Sequence, residues 1–191
     1  MKLTTNTTLL SKFKLTLFIL MAVIIFSCTN SPAPTALSKP ISESEVIAFQ
    51  NSFGVSQNSI VNTIKNNGNT EVAAKNHIES FYGLNEGKVM FAHGNVEKQS
   101  VRSTFEGLLS YLIGNNSNFP NDAGIVNTQR TISGWKNAGI INDDNIAIAM
   151  GQVRSKNSNG EQFLQNYTMC IKRNDTGVLK LISHKVSNPC E

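Results

Sequence analysis

Three histidines, His77, His93 and His184, are the side chains of this chain whose ordinary pKa suits proton exchange near neutral pH or metal binding as neutral imidazole. They are scattered, and no short recurring spacing gathers them into a metal site. No GxSxG elbow, phosphate-binding glycine loop, HExxH pair or CxxC motif is present, and the many serines give a Ser-His-Asp arrangement no positional signal. Residue chemistry alone therefore describes an exported α+β domain with room for a pocket and no motif that names its chemistry, in a chain of 191 residues of which only 16% are charged.

The elements that must position such groups follow from periodicity. Ser42 and Glu45 form a capping box ahead of a helical pattern with Val46, Ile47, Phe49, Phe53, Ile60, Val61 and Ile64 on its apolar face. Gly54 marks a candidate kink, and Asn66-Asn67-Gly68-Asn69 ends the helix. A second helix is expected over 70–82 with Val72, Ala73, Ile78 and Phe81 inward, then a short strand over 89–91 and a third helix over 105–114. Beyond the polar loop 115–124 the period changes to two. Strands are expected over 128–137, 139–141, 147–154, 163–173 and 178–187, separated by Asp143-Asp144, Asn159-Gly160 and Asn174-Asp-Thr-Gly177. Helices followed by a meander predict an α+β fold with N-terminal helices packed on a curved antiparallel sheet.

The amino terminus reads as an export signal. Lys2, Lys12 and Lys14 precede an apolar stretch over 15–26, too short to span a bilayer, and Ser27-Cys28 follows. Ile25-Phe26-Ser27-Cys28 resembles a lipobox, which makes residues 1–27 a lipoprotein signal peptide, Cys28 the acylated first residue, 28–41 a flexible tether and 42–191 the folded domain. An ordinary secretory signal also places the domain outside the cytoplasm, at the cell envelope. No acidic residue lies before Glu43, so loss of the three lysines takes the formal charge from +4 to +1, and no basic run interleaved with aromatics remains to bind nucleic acid. The expected hairpin puts residue 170 opposite about residue 181, roughly 30 Å at strand rise from Cys190, so Cys170 and Cys190 are expected as free thiols.

Several blocks occur in one order: Glu45-Val-Ile-Ala-Phe-Gln50, Phe53-Gly54, Phe81-Tyr-Gly-Leu-Asn-Glu-Gly-Lys-Val-Met-Phe91, Thr104-Phe-Glu-Gly-Leu-Leu-Ser-Tyr111, Phe119-Pro-Asn-Asp-Ala-Gly124, Trp135-Lys-Asn-Ala-Gly-Ile140, Ala147-Ile-Ala-Met-Gly151 and the ending over 184–189. This order resembles the iota-class carbonic anhydrases, a family similar to the association domain of calcium/calmodulin-dependent protein kinase II. The resemblance covers nearly all of the chain after residue 42. It implies a SnoaL-like, cystatin-like cone in which helices close a curved sheet around a pocket, usually as a homodimer. It also implies reversible hydration of CO2 to bicarbonate. Some relatives need no metal and others are described with zinc or manganese, so no cofactor is expected here. Hydroxyl donors in a dry pocket suit that reaction, because bicarbonate is a small planar anion.

Carried over position by position, the resemblance makes Tyr111, His184 and Ser187 catalytic and Thr104, Tyr111 and Ser187 substrate-binding. Two departures stand beside it. A family Thr falls on Gly94, next to His93, which reads as an exposed turn histidine. The signature His-His-Ser-Ser-x-Pro becomes His184-Lys185-Val186-Ser187-Asn188-Pro189. Alternation along a strand gives His184 the face of Val186 and Lys185 the face of Ser187, which separates His from Ser unless a bulge intervenes. Two functions therefore stand side by side: a working carbonic anhydrase, and a non-catalytic lipoprotein of the same fold whose pocket binds another small ligand or whose sheet makes a dimer.

Overall fold

The chain entering the domain is pinned at Ile41, which is buried and donates its N–H to the Asp144 carbonyl at 3.1 Å. The structure, a computed structural model, describes residues 39–93 and 101–189. The expectations for the signal, Cys28, most of the tether, Gly94 and Cys190 lie outside the described residues; within them Cys170 carries a free thiol.

Helix α1, Glu43–Lys65, starts on the expected box: Ser42 Oγ accepts from the Glu45 N–H at 3.3 Å, and the Glu45 carboxylate accepts from the Ser42 N–H at 2.9 Å. Arg173 ties the same carboxylate to the far end of the sheet at 2.8 Å. Gly54 is buried against Ile132 and Trp135, where α1 meets the sheet, and α1 runs through it as one helix. Helix α2, Thr70–Phe81, is capped by Asn69 and buries Ala74, His77, Ile78 and Phe81. Val72, expected inward, is exposed: the buried stripe passes through His77, which a hydrophobic count scores as polar. Phe53 of α1 gathers the two layers, its ring lying 5.4 Å from Phe81, 4.7 Å from His77 and 6.2 Å from Trp135 between centroids.

Strands β1 (Met90–His93) and β2 (Val101–Arg102) precede helix α3 (Phe105–Ile113) and the single turn α4 (Ile125–Thr128). The long meander follows: β3 (Thr131–Asp143), β4 (Ile146–Lys156), β5 (Gln162–Arg173) and β6 (Leu179–Ser187). One sheet results, in the order β2-β1-β6-β5-β4-β3. Every pair is antiparallel except β1 with β6. That pair is parallel because the chain leaving α2 already runs beside β6, with a Tyr82–Leu181 bridge and the Gly83 N–H on the Leu181 carbonyl. The two strands expected over 128–137 and 139–141 are one strand with a bulge at Ala138. Gly151 lies opposite that bulge, where a Cβ would run into the Lys136 backbone.

A reciprocal amide pair fixes α1 to the sheet. Gln50 Nε2 donates to Asn137 Oδ1 at 3.0 Å and to the Tyr167 hydroxyl at 2.9 Å, while Asn137 Nδ2 donates back to Gln50 Oε1 at 3.1 Å. With every polar atom of Gln50 served, its burial costs little.

Candidate active site

The concave face of the sheet, with α1, the end of α2, α3 and residues 121–125, encloses a cavity of about 280 Å3. At one end Phe53, Tyr82, Phe91 and His184 are all buried; at the other Asn121, Ala123 and Thr128 are exposed, so the cavity has a closed end and a mouth.

A bulge in β6 aims His184 into this space. Cys170 pairs with Ser183 and Ile171 with Leu181, so Ile182 is the extra residue and the alternation resets between Leu181 and His184. Both side chains face the core, followed by Val186. The Tyr82 hydroxyl and His184 Nδ1 lie 3.2 Å apart, while His184 Nε2 has no partner among the described residues. Burial, reinforced by the nearby His77 and His93, lowers the His184 pKa to about 3, and burial alone brings His77 to about 3. Both imidazoles are therefore neutral at physiological pH. Because each folded-state pKa lies below the ordinary 6.5, the unfolded chain takes up protons that the folded chain refuses, and stability falls as pH drops from about 6.5 toward 3. Thermal melts are expected to show Tm declining across that window; a flat Tm would contradict neutral buried histidines.

Tyr111 reaches the same cavity from α3, its ring 4.6 Å from that of Phe91 and 5.1 Å from that of His93. Desolvation pushes its phenol well above the usual range; Asp122 adds to this and Arg130 opposes it, so the hydroxyl keeps its proton and is a hydrogen-bond donor. Tyr82 is likewise held protonated by burial. Behind Tyr111 lies a buried ion pair: Arg102 Nη2 and Nε donate to the two oxygens of Asp122 at 2.7 and 3.2 Å, and Ser110 Oγ donates to Asp122 Oδ2 at 2.7 Å. The Arg102 guanidinium also covers the Phe119 ring at 4.6 Å. The pair ties β2 and α3 to the loop that lines the cavity.

Of the catalytic and substrate-binding residues expected from the sequence, Tyr111 and His184 come together here and Thr104 and Ser187 do not. Thr104 is exposed and caps α3, its Oγ1 accepting from the Gly107 N–H at 3.1 Å, and it is not among the residues that line the cavity. Ser187 sits with Lys185 in a groove on the opposite face of the sheet, because the β6 bulge falls before His184 rather than between His184 and Ser187. Ser187 therefore does not face the cavity that Tyr111 and His184 share. His93, expected in an exposed turn, is instead the last residue of β1, half-buried and lining the cavity. Tyr82, which the block over 81–91 contains, also lines it, as do Arg130, Ser155 and Gln165, which carried no motif; alternation along β4 and β5 was the signal available for the last two. Among the described residues no three His, Cys, Asp or Glu side chains are grouped to hold a metal ion.

This geometry defines a class: a cystatin-like cone with a hydroxyl- and imidazole-lined pocket closed at one end. A solved cystatin-like protein from Nostoc punctiforme shares the fold at TM-score 0.52 and 11% identity, over 78% of this chain and 92% of that one. A cyanobacterial iota-carbonic anhydrase, solved with bicarbonate, superposes at TM-score 0.77 with 29% identity over 83% of this chain and 98% of that one. The metal-independent carbonic anhydrase of Nostoc sp. strain PCC 7120 is 30% identical over 173 residues, 86% of this chain and 82% of the relative. The family model of metal-independent carbonic anhydrases matches residues 44–188, and the chain belongs to that family. The absence of a required cofactor follows from the family's own description.

Proposed function

We propose that the chain is a metal-free carbonic anhydrase that hydrates CO2 reversibly at the closed end of the cavity. The observation that carries this reading is that Tyr111 and His184, two positions kept from the family pattern, meet in one cavity with neutral polar groups and aromatic walls. In hydration a water oxygen bonds to the CO2 carbon, one C=O electron pair moves onto oxygen, and one water proton leaves. The Tyr111 hydroxyl donates to the oxygen that gains charge, which requires no reorganisation in a dry site. His184, steadied through Nδ1 by Tyr82, orients the water. With a pKa of about 3 it cannot hold the proton, which leaves for solvent through the mouth.

On this reading the hydroxyl lost from β6 matters. Val186 lines the cavity where the family signature has a Ser, so Val186→Ser adds a donor beside His184. One neutral hydrogen bond is worth about 1 kcal/mol, or roughly fivefold in kcat/KM, and the gain is read by stopped-flow CO2 hydration. The wild-type assay, with chelator present, tests the function itself. Turnover above buffer supports catalysis; a folded protein with none supports the binding-module alternative.

The location and assembly belong to the same proposal. Anchoring through a lipid on Cys28 rests on the sequence pattern over 1–28, and Cys28→Ser is expected to move the protein from the membrane to the soluble fraction of cells. Pairing of two copies is assigned to the outer sheet face, where Ile141, Ile148 and Met150 stand exposed on adjacent strands. Sedimentation of Met150→Glu is expected to give a monomer where the wild type gives a dimer.

A further inference from the structure

The cavity's mouth carries polar groups that CO2 hydration at the closed end does not use. Ile132 and Phe163 flank Ser155 as its partners on β3 and β5. Arg130, two residues ahead of Ile132, lays its guanidinium over the Phe163 ring at 3.5 Å from the centroid. Phe163 is the β5 partner of Ser155, and Arg130 and Ser155 both line the cavity. Ser155 is 6% exposed, and its Oγ has no hydrogen-bond partner among the described residues. A buried hydroxyl left in that state costs about 1–3 kcal/mol, which a bound group in the cavity would relieve. Gln165, next along the inward face of β5, spends one amide N–H on Asn188 at 3.1 Å and keeps a second.

The charge balance at this end is positive. Asp122 lines the same cavity, but Arg102 and Ser110 occupy both of its oxygens. Arg130 has no carboxylate within ion-pair distance among the described residues, and its charge reaches inward far enough to bear on both Tyr111 and His93. A stacked guanidinium keeps its edge free, and that edge presents a fork of parallel N–H donors matched to a planar anion.

We infer that Arg130, Ser155 and Gln165 form a second subsite at the mouth that binds a small planar monoanion, the class to which bicarbonate belongs. Its Ser155 stands apart from His184, while the Arg130 charge still bears on Tyr111. His184 pairs with Met169 and Ser155 with Phe163, six residues apart on one strand, which is about 20 Å of strand rise before curvature. A single bicarbonate cannot span both. The subsite's use, receiving bicarbonate as it enters or leaves, rests on the function proposed above; its existence does not.

The test separates the two. The 15N-labelled protein is titrated with sodium nitrate, a planar monoanion that is not a substrate, and with sodium bicarbonate, at constant ionic strength. Both are expected to shift the Arg130 Nε–H and Ser155 amide signals along one saturation curve, distinct from that of His184. Ser155→Ala is expected to weaken that curve at least threefold, and Arg130→Gln to abolish it while the His184 curve stays. Arg130→Lys, which keeps the charge and loses the fork, is expected to fall between. Signals at 130 and 155 that do not move, or that still saturate in the Arg130→Gln protein, would overturn the inference. A protein with no hydration activity whose mouth signals still respond would leave it standing.

Discussion

Tyr111→Phe is expected to lower kcat/KM for CO2 hydration by about 10²–10³-fold, the loss typical of removing one donor aimed at developing oxyanion charge. The change deletes a single oxygen. The ring contacts with Phe91 and His93 are retained, so the far-UV spectrum and Tm are expected to stay close to wild type. Because the phenol is held protonated by desolvation, no step in the pH–rate profile is expected from Tyr111 at physiological pH. A Phe variant with undiminished turnover would show that the charge is stabilised elsewhere.

The largest stability effect is expected at Asp122. Asp122→Ala leaves the Arg102 guanidinium buried without its carboxylate and strips Ser110 of its acceptor. Removing one partner of a buried pair costs about 3–5 kcal/mol. For a domain of this size that is a drop in Tm on the order of 10 °C. Adding Arg102→Met is expected to recover much of the loss, since two apolar side chains no longer bury a charge. Urea unfolding of the wild type, the single and the double variant measures both steps; a double variant less stable than Asp122→Ala would contradict the account.

Where local chemistry dictates structure, the sequence was readable. The Ser42–Glu45 box starts α1, Asn69 caps α2, and the NSNG and NDTG turns delimit the last hairpins. Alternation along β6 correctly gave His184 and Val186 one face and Lys185 and Ser187 the other. Non-local pairing was not readable. The parallel β1–β6 pair joins residues about 93 positions apart, and nothing in Met90–His93 announces its partner. It is this pair that turns His93 from a turn residue into a wall of the cavity. The position of the β6 bulge, which the sequence left open between His184 and Ser187, was hidden for a related reason: the register shift at Ile182 shows only when β5 is laid beside β6. Val72 was misread because the buried face of α2 includes a histidine. The Arg102–Asp122 pair escaped notice because the two residues gain meaning only once β2 and the 115–124 loop are brought together over α3.

In the proposed reaction a neutral imidazole and a protonated phenol, both lining one cavity, hydrate CO2 without a metal. Oxygen-18 loss from labelled CO2 and bicarbonate at equilibrium, followed by mass spectrometry on protein dialysed against chelator, reports that exchange directly. The account predicts catalysed exchange that survives the chelator, is unchanged on adding zinc or manganese, and collapses in Tyr111→Phe. Exchange at the buffer rate from the folded wild-type protein, or activity that appears only with added metal, would contradict it.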